Sequence, residues 1–240
     1  MEQDYLDLCD NQYNDDFDRV NLLGRYPWVG INYSKSDYRV LIIGDSHYTV
    51  DDKKNYSEEE YKICKENKDY TREVIRYVIN DACERKPTWT MFRNLINTFT
   101  SYTPDEVKYL WSKVAFYNFI QEPMKQISQK PTREESRIGW RCFYDVVNIL
   151  EPDFCVFIGK RSKNEIDTIK TLGGSYNIIK DEDKCNRIYP YYGEIETTEK
   201  HKTRYRIIKH TSRYYSPEVW HQYFRNKEPD LIKQLDKNFR

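Results

Sequence analysis

The sequence predicts an α/β protein, a three-layer α/β/α sandwich with a mostly parallel central sheet of about four strands. Two observations carry this prediction: four short runs rich in β-branched and aromatic residues, and amphipathic helical segments between them. A largely apolar run is typical of a strand buried on both faces, and strands that alternate with helices favour a parallel sheet. The runs are residues 40–43, 114–119, 154–158 and 204–209.

The length of 240 residues suffices for one domain with a substantial core. Residues 1–20 carry seven acidic side chains and one arginine, and we expect 1–25 to form an acidic N-terminal arm. No repeat, low-complexity run or linker-like composition divides the remainder. We therefore assign 26–240 to a single α/β domain.

The first half of this domain begins with a structured turn and the strand at 40–43, which Gly44 is expected to end. Ser57 and Glu60 form a capping box, which predicts the start of a helix. A proline at the first helical position, Pro104, predicts another helix start. Further helices are expected at 70–85 and 90–100, before a second strand that closes with Asn118.

The second half repeats this alternation. A capping box of Thr132 and Glu135 predicts a long helix before the strand at 154–158, and Ser162 is expected to cap a shorter helix after it. The last elements predicted are an irregular segment with short strands at 175–200, the strand at 204–209, and helices beginning at Ser216 and Pro229.

Several classes of protein are excluded or disfavoured by composition. No apolar stretch approaches the roughly 20 residues that span a bilayer, and the N-terminus lacks a signal region, so we expect a cytoplasmic protein without a membrane partner. The six cysteines are scattered without a Cys-x-x-Cys pair, which supports neither a metal site nor an iron–sulfur cluster. We expect no cofactor, and a monomer.

Polar side chains follow each predicted strand. Ligands of open α/β sheets bind beyond the carboxyl ends of parallel strands, so these side chains are expected to share one cleft. An acid, an amide, a histidine and several cations together indicate an active site. The residues are Asp45, Ser46, His47, Tyr48, Asn118, Lys160, Arg161, His210, Thr211, Ser212 and Arg213.

This arrangement resembles the uracil-DNA glycosylase superfamily over residues 25–225. That family has a strand followed by Gly-x-[Asp/Asn/Ala]-Pro-[Tyr/Gly], where this chain has Gly44-Asp45-Ser46-His47-Tyr48. It also has a strand ending in an Asn that reads the base, which Asn118 resembles, and a late strand followed by His-Pro-Ser. Here the last motif is His210-Thr211-Ser212.

Both motif prolines are replaced in this chain, by His47 and Thr211, and Ser46 stands where the most active branches have an acid. The resemblance implies the same fold and a DNA partner, double- or single-stranded. It implies that Asp45 stabilises the sugar cation and that His210 donates to the departing base. Asn118 would read the edge of a flipped-out base.

The remaining roles implied by the resemblance concern the base and the DNA. Ser46, His47 and Tyr48 would line the base pocket, with Phe92 or Tyr48 stacking on the base. Tyr48 stands where some members use tyrosine to exclude 5-methyl groups. A reshaped motif slightly favours a bulky 5-substituted pyrimidine, such as those in phage DNA, over uracil. The DNA contacts expected are Lys160, Arg161, Ser212, Arg213, Tyr214 and the basic stretch 200–213.

Two other functions stay open. Ile43-Gly44-Asp45-Ser46 also resembles the first block of Gly-Asp-Ser-type esterases, with Ser46 as nucleophile and Glu218-Val219-Trp220-His221 as the nearest match to their Asp-x-x-His. The second is a catalytically silent nucleic-acid-binding protein on the glycosylase fold, since motif residues have been lost.

Overall fold

The structure, a computed structural model, describes residues 8–49, 55–126 and 129–237, without the side chain of Arg161. Its strands are β1 (Trp28–Val29), β2 (Val40–Tyr48), β3 (Val114–Met124), β4 (Phe154–Ile158), β5 (Ser175–Tyr176), β6 (Ile179–Lys180), β7 (Tyr191–Glu196) and β8 (Lys202–Ile208). Its helices are α1 (Asn14–Phe17), α2 (Glu58–Glu66), α3 (Tyr70–Cys83), α4 (Thr90–Phe99), α5 (Pro104–Lys113), α6 (Arg133–Leu150), α7 (Thr168–Thr171), α8 (Pro217–Lys227) and α9 (Pro229–Leu235).

Within the described residues the strands form one eight-stranded sheet in the order β1-β3-β2-β4-β8-β7-β5, with β6 paired to β7. The four central strands, β3, β2, β4 and β8, are parallel, as predicted. The sheet is larger than the expected four strands, and β5, β6 and β7 lie in the segment 175–200, for which short strands were expected. Antiparallel strands extend both edges, and several of them are two residues long, too short to leave a periodic pattern.

Helices cover both faces of the sheet because successive strand residues point to opposite sides. Val40 and Ile42 pack with α3, α4, α5, α8 and α9 on what we call the first face. Leu41 and Ile43 pack mainly with α6 on the second face. The α/β class predicted from the sequence is therefore confirmed.

Two strands are longer than predicted. Gly44 does not end β2, which continues to Tyr48, and β3 continues beyond Asn118 to Met124. The cause is mutual pairing: Gly44 lies opposite Asn118, and Ser46 lies opposite Ile120. The polar residues of the first motif are therefore strand residues, subject to the pleat, rather than a loop beyond the sheet.

Helix caps agree with the sequence in two places and disagree in one. Ser57 accepts from the Glu60 backbone N–H at the start of α2, and Thr132 and Glu135 form a reciprocal capping box at the start of α6. Ser162 does not cap a helix. Its hydroxyl donates to the carbonyl of Gly159 within a 3₁₀ turn at Lys160–Lys163, and α7 begins later.

Part of the expected N-terminal arm packs on the domain. The side chains of Phe17 and Val20 are buried, and Cys9 forms a β-bridge with Gly30. Residues 1–7 of the arm lie outside the described residues. In the part of the chain that is described, no helix combines the length and apolar character needed to cross a bilayer.

Candidate active site at the carboxyl ends of the parallel strands

Asp45 and His210 come together beside Gly159, at the carboxyl ends of three neighbouring parallel strands. Gly159 follows β4 with a φ of +112°, and a Cβ built on it would lie 3.8 Å from Asp45 Oδ1 and 3.8 Å from His210 Cδ2. The position between the two functional groups therefore carries no side chain. A positive φ of this size is accessible to glycine at little cost.

Tyr48 lies at the same carboxylate. Its hydroxyl donates to Asp45 Oδ2 at 3.5 Å, and its side chain is partly buried. Residues three apart on a regular strand point to opposite faces. The register between β2 and β3 shifts between Ser46 and Tyr48, and this irregularity explains how the phenol can turn towards Asp45.

Asn118 lies against Gly44 rather than against Asp45. A Cβ on Gly44 would come within 2.1 Å of Asn118 Oδ1, so the amide occupies the space that a side chain at 44 would need. Asn118 is 7% exposed, and among the described residues its Oδ1 has no hydrogen-bond partner. A buried acceptor left without a partner costs about 1–3 kcal/mol, which a ligand donor can recover.

The imidazole of His210 is held in one tautomer by its own loop. The Ser212 backbone N–H donates to His210 Nδ1 at 3.2 Å, and the Ser212 hydroxyl lies 2.9 Å from the same nitrogen. A ring nitrogen that accepts an N–H carries no proton, so the neutral ring is protonated on Nε2. The Nε2–H of His210 therefore lies on the ring edge that includes Cδ2, the atom nearest to Gly159.

Asn94, on α4, positions this loop and was missed by the sequence analysis. Its Nδ2 donates to the carbonyl of Thr211 at 2.7 Å and to that of Ser212 at 3.2 Å. A single polar residue on an amphipathic helix carries no local signal of such a role. Thr211, which replaces the motif proline, is fully buried.

His47, predicted to bind substrate, packs instead against the start of α3. Its Nε2 lies 2.9 Å from Thr71 Oγ1, and its ring meets Tyr70 edge-on with 5.0 Å between centroids. Burial, assisted by the charge of Arg25, lowers the pKa of His47 to about 3. The ring is therefore neutral near pH 7. Its neighbour Ser46 is partly exposed.

Phe92, the first candidate for stacking on a base, has the contacts of a core residue. It is 3% exposed, and its ring centroid lies 5.7 Å from that of Phe116 and 6.1 Å from that of Trp111. Phe116 reaches Gly44 from the same side, with Cζ 3.0 Å from a Cβ built there. Phe92 therefore packs in the core on the first face of the sheet, against Phe116 and Trp111.

The predicted DNA contacts are divided between two loops. Lys160, directly after Gly159, is partly buried, with Nζ 5.8 Å from the ring centre of Tyr191. Arg161 follows it, and its side chain lies outside the described part of the chain. Arg213 is exposed, and Tyr214 is 86% exposed with a φ of +55°. Ser212 is bonded to His210, as described above.

The basic stretch 200–213 does not form one phosphate-binding cluster. Lys202 pairs with Glu194 and Glu196 on β7. Arg206 is buried on the first face, where it donates to Asp181 Oδ2 at 2.9 Å and to Glu228 Oε1 at 2.7 Å. Arg204 donates to the other oxygen of the same glutamate. The charges of these three residues are neutralised by neighbouring strands and helices.

The two residues that the esterase hypothesis pairs with Ser46 are engaged at α8. Glu218 accepts from the hydroxyl of Ser216 at 3.0 Å, and His221 Nδ1 lies 3.0 Å from the carbonyl oxygen of Thr98 on α4. A histidine that hydrogen-bonds through Nδ1 to a helix carbonyl is held by that helix. Both residues therefore have structural contacts that account for their presence at α8.

Comparison with protein-family models and with curated protein sequences finds no match for this chain. Among residues 8–49, 55–126 and 129–237, no group of three or more His, Cys, Asp or Glu side chains is placed to hold a metal ion. The function must therefore be argued from the side chains gathered at Gly159 and Gly44.

Proposed function

We propose that the protein is a DNA glycosylase that hydrolyses the N-glycosidic bond of a flipped-out pyrimidine and leaves an abasic site. The observation that carries this proposal is the approach of Asp45 and His210 to one another beside Gly159. An anionic group and a hydrogen-bond donor on either side of an empty position suit a bond that becomes cationic at one end and anionic at the other.

In this mechanism the two residues act on opposite ends of the breaking bond. The Asp45 carboxylate stabilises the positive charge that develops on the sugar and orients the attacking water, as carboxylates do in other glycoside hydrolyses. The Nε2–H of His210 donates to a carbonyl oxygen of the departing base as negative charge accumulates there. The N-glycosidic bond breaks with its electron pair going to the base. Water adds to the sugar and supplies the proton that the base gains.

Asn118 is the proposed reader of the base edge. Its buried Oδ1 has no partner among the described residues, and a pyrimidine N–H can donate to it. Tyr48 is the residue expected to determine which pyrimidine can enter the pocket. Its hydroxyl contact with Asp45 keeps the ring beside the site, which favours uracil over a base with a bulky 5-substituent. This reverses the slight preference that the sequence motifs gave.

Tyr214 is the proposed wedge that fills the duplex where the base has left. It is the most exposed of the large hydrophobic side chains described, and it lies in the loop that follows His210 with a φ of +55°. Aromatic and apolar wedges of this kind offset the unstacking of the flipped nucleotide. Arg213 and Lys160 flank the site and would contact phosphates.

The test is incubation with duplexes that each carry one candidate base, followed by alkaline cleavage at abasic sites. The panel contains thymine, uracil, 5-hydroxymethyluracil, cytosine and 5-hydroxymethylcytosine. Asp45→Asn and His210→Ala should each lower the single-turnover rate by about 10²-fold or more, because each removes an interaction made mainly in the transition state. Asp37→Asn, at an exposed carboxylate three residues before the amino end of β2, is the matched control and should retain the wild-type rate.

Two outcomes would contradict the proposal. Cleavage of an ester substrate that is lost in Ser46→Ala but retained in Asp45→Asn would establish the esterase. Tight DNA binding with no abasic product from any base in the panel would establish the silent binder. Ser46→Ala should lower base excision less than Asp45→Asn does.

A further inference from the structure

A surface of lysines and tyrosines lies beside the candidate site and was not part of the sequence prediction, apart from Lys160. We call it the lysine–tyrosine surface. Lys163 Nζ donates to the hydroxyl of Tyr191 at 3.1 Å and lies 4.5 Å from the centre of its ring. Lys180 and Lys184 lie 4.2 Å and 5.2 Å from the ring centre of Tyr189. Its members are Lys160, Lys163, Lys180, Lys184, Tyr189 and Tyr191.

The lysines of this surface have no carboxylate partners among the described residues, unlike the nearby Lys202, Arg206 and Lys227. Among the ion pairs of the described residues, none includes Lys160, Lys163, Lys180 or Lys184. The nearby acids Asp181 and Asp183 are paired with Arg206 and Lys227, and Glu182 is the exposed acid that remains in this segment. The surface therefore has a local excess of positive charge, although the whole chain carries no net charge.

The environment of Tyr191 reflects the charges of the same lysines. The pKa of its phenol is lowered by the hydrogen bond from Lys163 and by the charges of Lys163, Lys160 and Lys180. A phenol surrounded by ammonium groups marks a position where an added anion would also be stabilised.

The strand pairing connects this surface to the site. Lys180 on β6 lies opposite Tyr191 on β7, and Tyr191 lies opposite Ile207 on β8, which precedes the loop of His210. Lys160 directly follows Gly159, the residue between Asp45 and His210. The surface thus begins at the active-site glycine and extends across the antiparallel edge of the sheet.

We infer that the lysine–tyrosine surface binds the phosphate backbone of the DNA strand on one side of the flipped nucleotide, without reading its sequence. The inference rests on the proposed function for the site that this strand leads to. Ammonium groups positioned by tyrosine rings suit a chain of phosphates, and tyrosine rings at the surface can also contact sugars and bases. An ordered row of contacts would hold the duplex while Tyr214 enters it.

The decisive measurement is the salt dependence of binding to an unmodified duplex. Neutralising three phosphate contacts should reduce the slope of log K against log salt concentration by about 2–3, because fewer counterions are released. We therefore expect K163Q/K180Q/K184Q to have this shallower slope and weaker binding at low salt. The charge-retaining K163R/K180R/K184R should keep the wild-type slope, which separates charge from any loss of fold.

A matched control uses three lysines on other parts of the molecule. Lys35, Lys113 and Lys233 lie on a turn, on α5 and on α9, and like the surface lysines they form none of the ion pairs described. K35Q/K113Q/K233Q removes the same charge and should leave the slope unchanged. Equal slopes for the two glutamine triples would overturn the inference, since the effect would then be one of net charge.

The result also separates this inference from the proposed activity. DNA binding with the expected change of slope, but no excision, would refute the glycosylase and leave the surface standing. Excision of a base with no change of slope in K163Q/K180Q/K184Q would refute the surface and leave the glycosylase standing. Failure of the wild-type protein to bind any duplex would refute the surface outright.

Discussion

Protonation of His47 should limit the stability of the protein in mild acid. The side chain belongs to β2 and is buried against the start of α3, where its Nε2 lies 2.9 Å from Thr71 Oγ1 and its ring meets that of Tyr70. Burial and the charge of Arg25 lower its pKa from 6.5 to about 3. The folded protein therefore keeps this histidine neutral at pH values where the unfolded chain binds a proton.

The sign of the effect follows from this difference in proton binding. A group whose pKa is lowered by folding contributes stability above its unfolded pKa, and that contribution is lost as the pH falls towards the folded pKa. The window is therefore pH 6.5 to about 3. At a pH two units below the unfolded value, the loss is about 2.7 kcal/mol, since each pKa unit corresponds to about 1.36 kcal/mol. That is a large part of a typical folding free energy.

The assay is urea unfolding of the wild-type protein and of His47→Gln at a series of pH values from neutral down to about two units below the unfolded pKa. Glutamine keeps a polar atom near the position of Nε2 but does not titrate. Carboxylates and the other histidines are common to both proteins, so they cancel in the difference. The variant should be less stable at neutral pH and lose that disadvantage in acid. Two free-energy curves that stay parallel across the window would refute the buried, neutral histidine.

Three further predictions concern Gly44, Asn94 and Arg206. Gly44→Ala should displace the amide of Asn118 and lower base excision at least as much as Asn118→Ala, measured as single-turnover rates, because its Cβ would lie 2.1 Å from Oδ1. Asn94→Ala removes two hydrogen bonds, each worth about 0.5–1.5 kcal/mol, from the histidine loop. It should slow excision about tenfold, with circular dichroism unchanged. Arg206→Gln should cost about 3–5 kcal/mol in urea unfolding. Arg204→Gln, at a half-exposed pair, should cost about 1 kcal/mol or less.

The parts of the fold that were predicted are those whose signals are local. The strand Phe154–Ile158 was predicted with its observed bounds because it is buried on both faces and therefore apolar throughout. The start of α6 was predicted because a capping box involves residues three apart. Neither signal depends on where the rest of the chain lies.

The extent of β2 could not be predicted in this way. Gly44 followed by Asp45 reads as the end of a strand, and only the pairing with β3, some seventy residues later in the sequence, extends it. The consequence for the site is large. Gly44 faces Asn118 and Phe116, whereas Asp45 lies beside Gly159, so the pleat directs these two adjacent motif residues to different partners.

The basic stretch 200–213 was misinterpreted for a related reason. Its charges are adjacent in sequence, but strand alternation sends Arg206 to the first face, where Asp181 and Glu228 neutralise it. Meanwhile Lys163, Lys180 and Lys184 are separate in sequence and come together on the tyrosines at the edge of the sheet. Charge clustering along a chain therefore does not predict which charges lie together in space, because the pairing and alternation of the strands determine it.

Gly159 explains why Asp45 and His210 came together as predicted even though β2 was misjudged. The strand β4 lies between β2 and β8, so a residue at its carboxyl end is flanked by residues from both neighbours. Asp45 lies on the neighbouring strand β2 and His210 follows the neighbouring strand β8, so both side chains reach the position beside Gly159. Glycine there, at a φ of +112°, leaves that position unfilled and lets the backbone turn into Lys160. An alanine would add both backbone strain and a methyl group 3.8 Å from each functional group, in the space where the proposed substrate bond would lie. The space between Asp45 and His210 therefore depends on a glycine that follows a third strand, β4. A search for motifs around Asp45 or His210 alone would overlook Gly159.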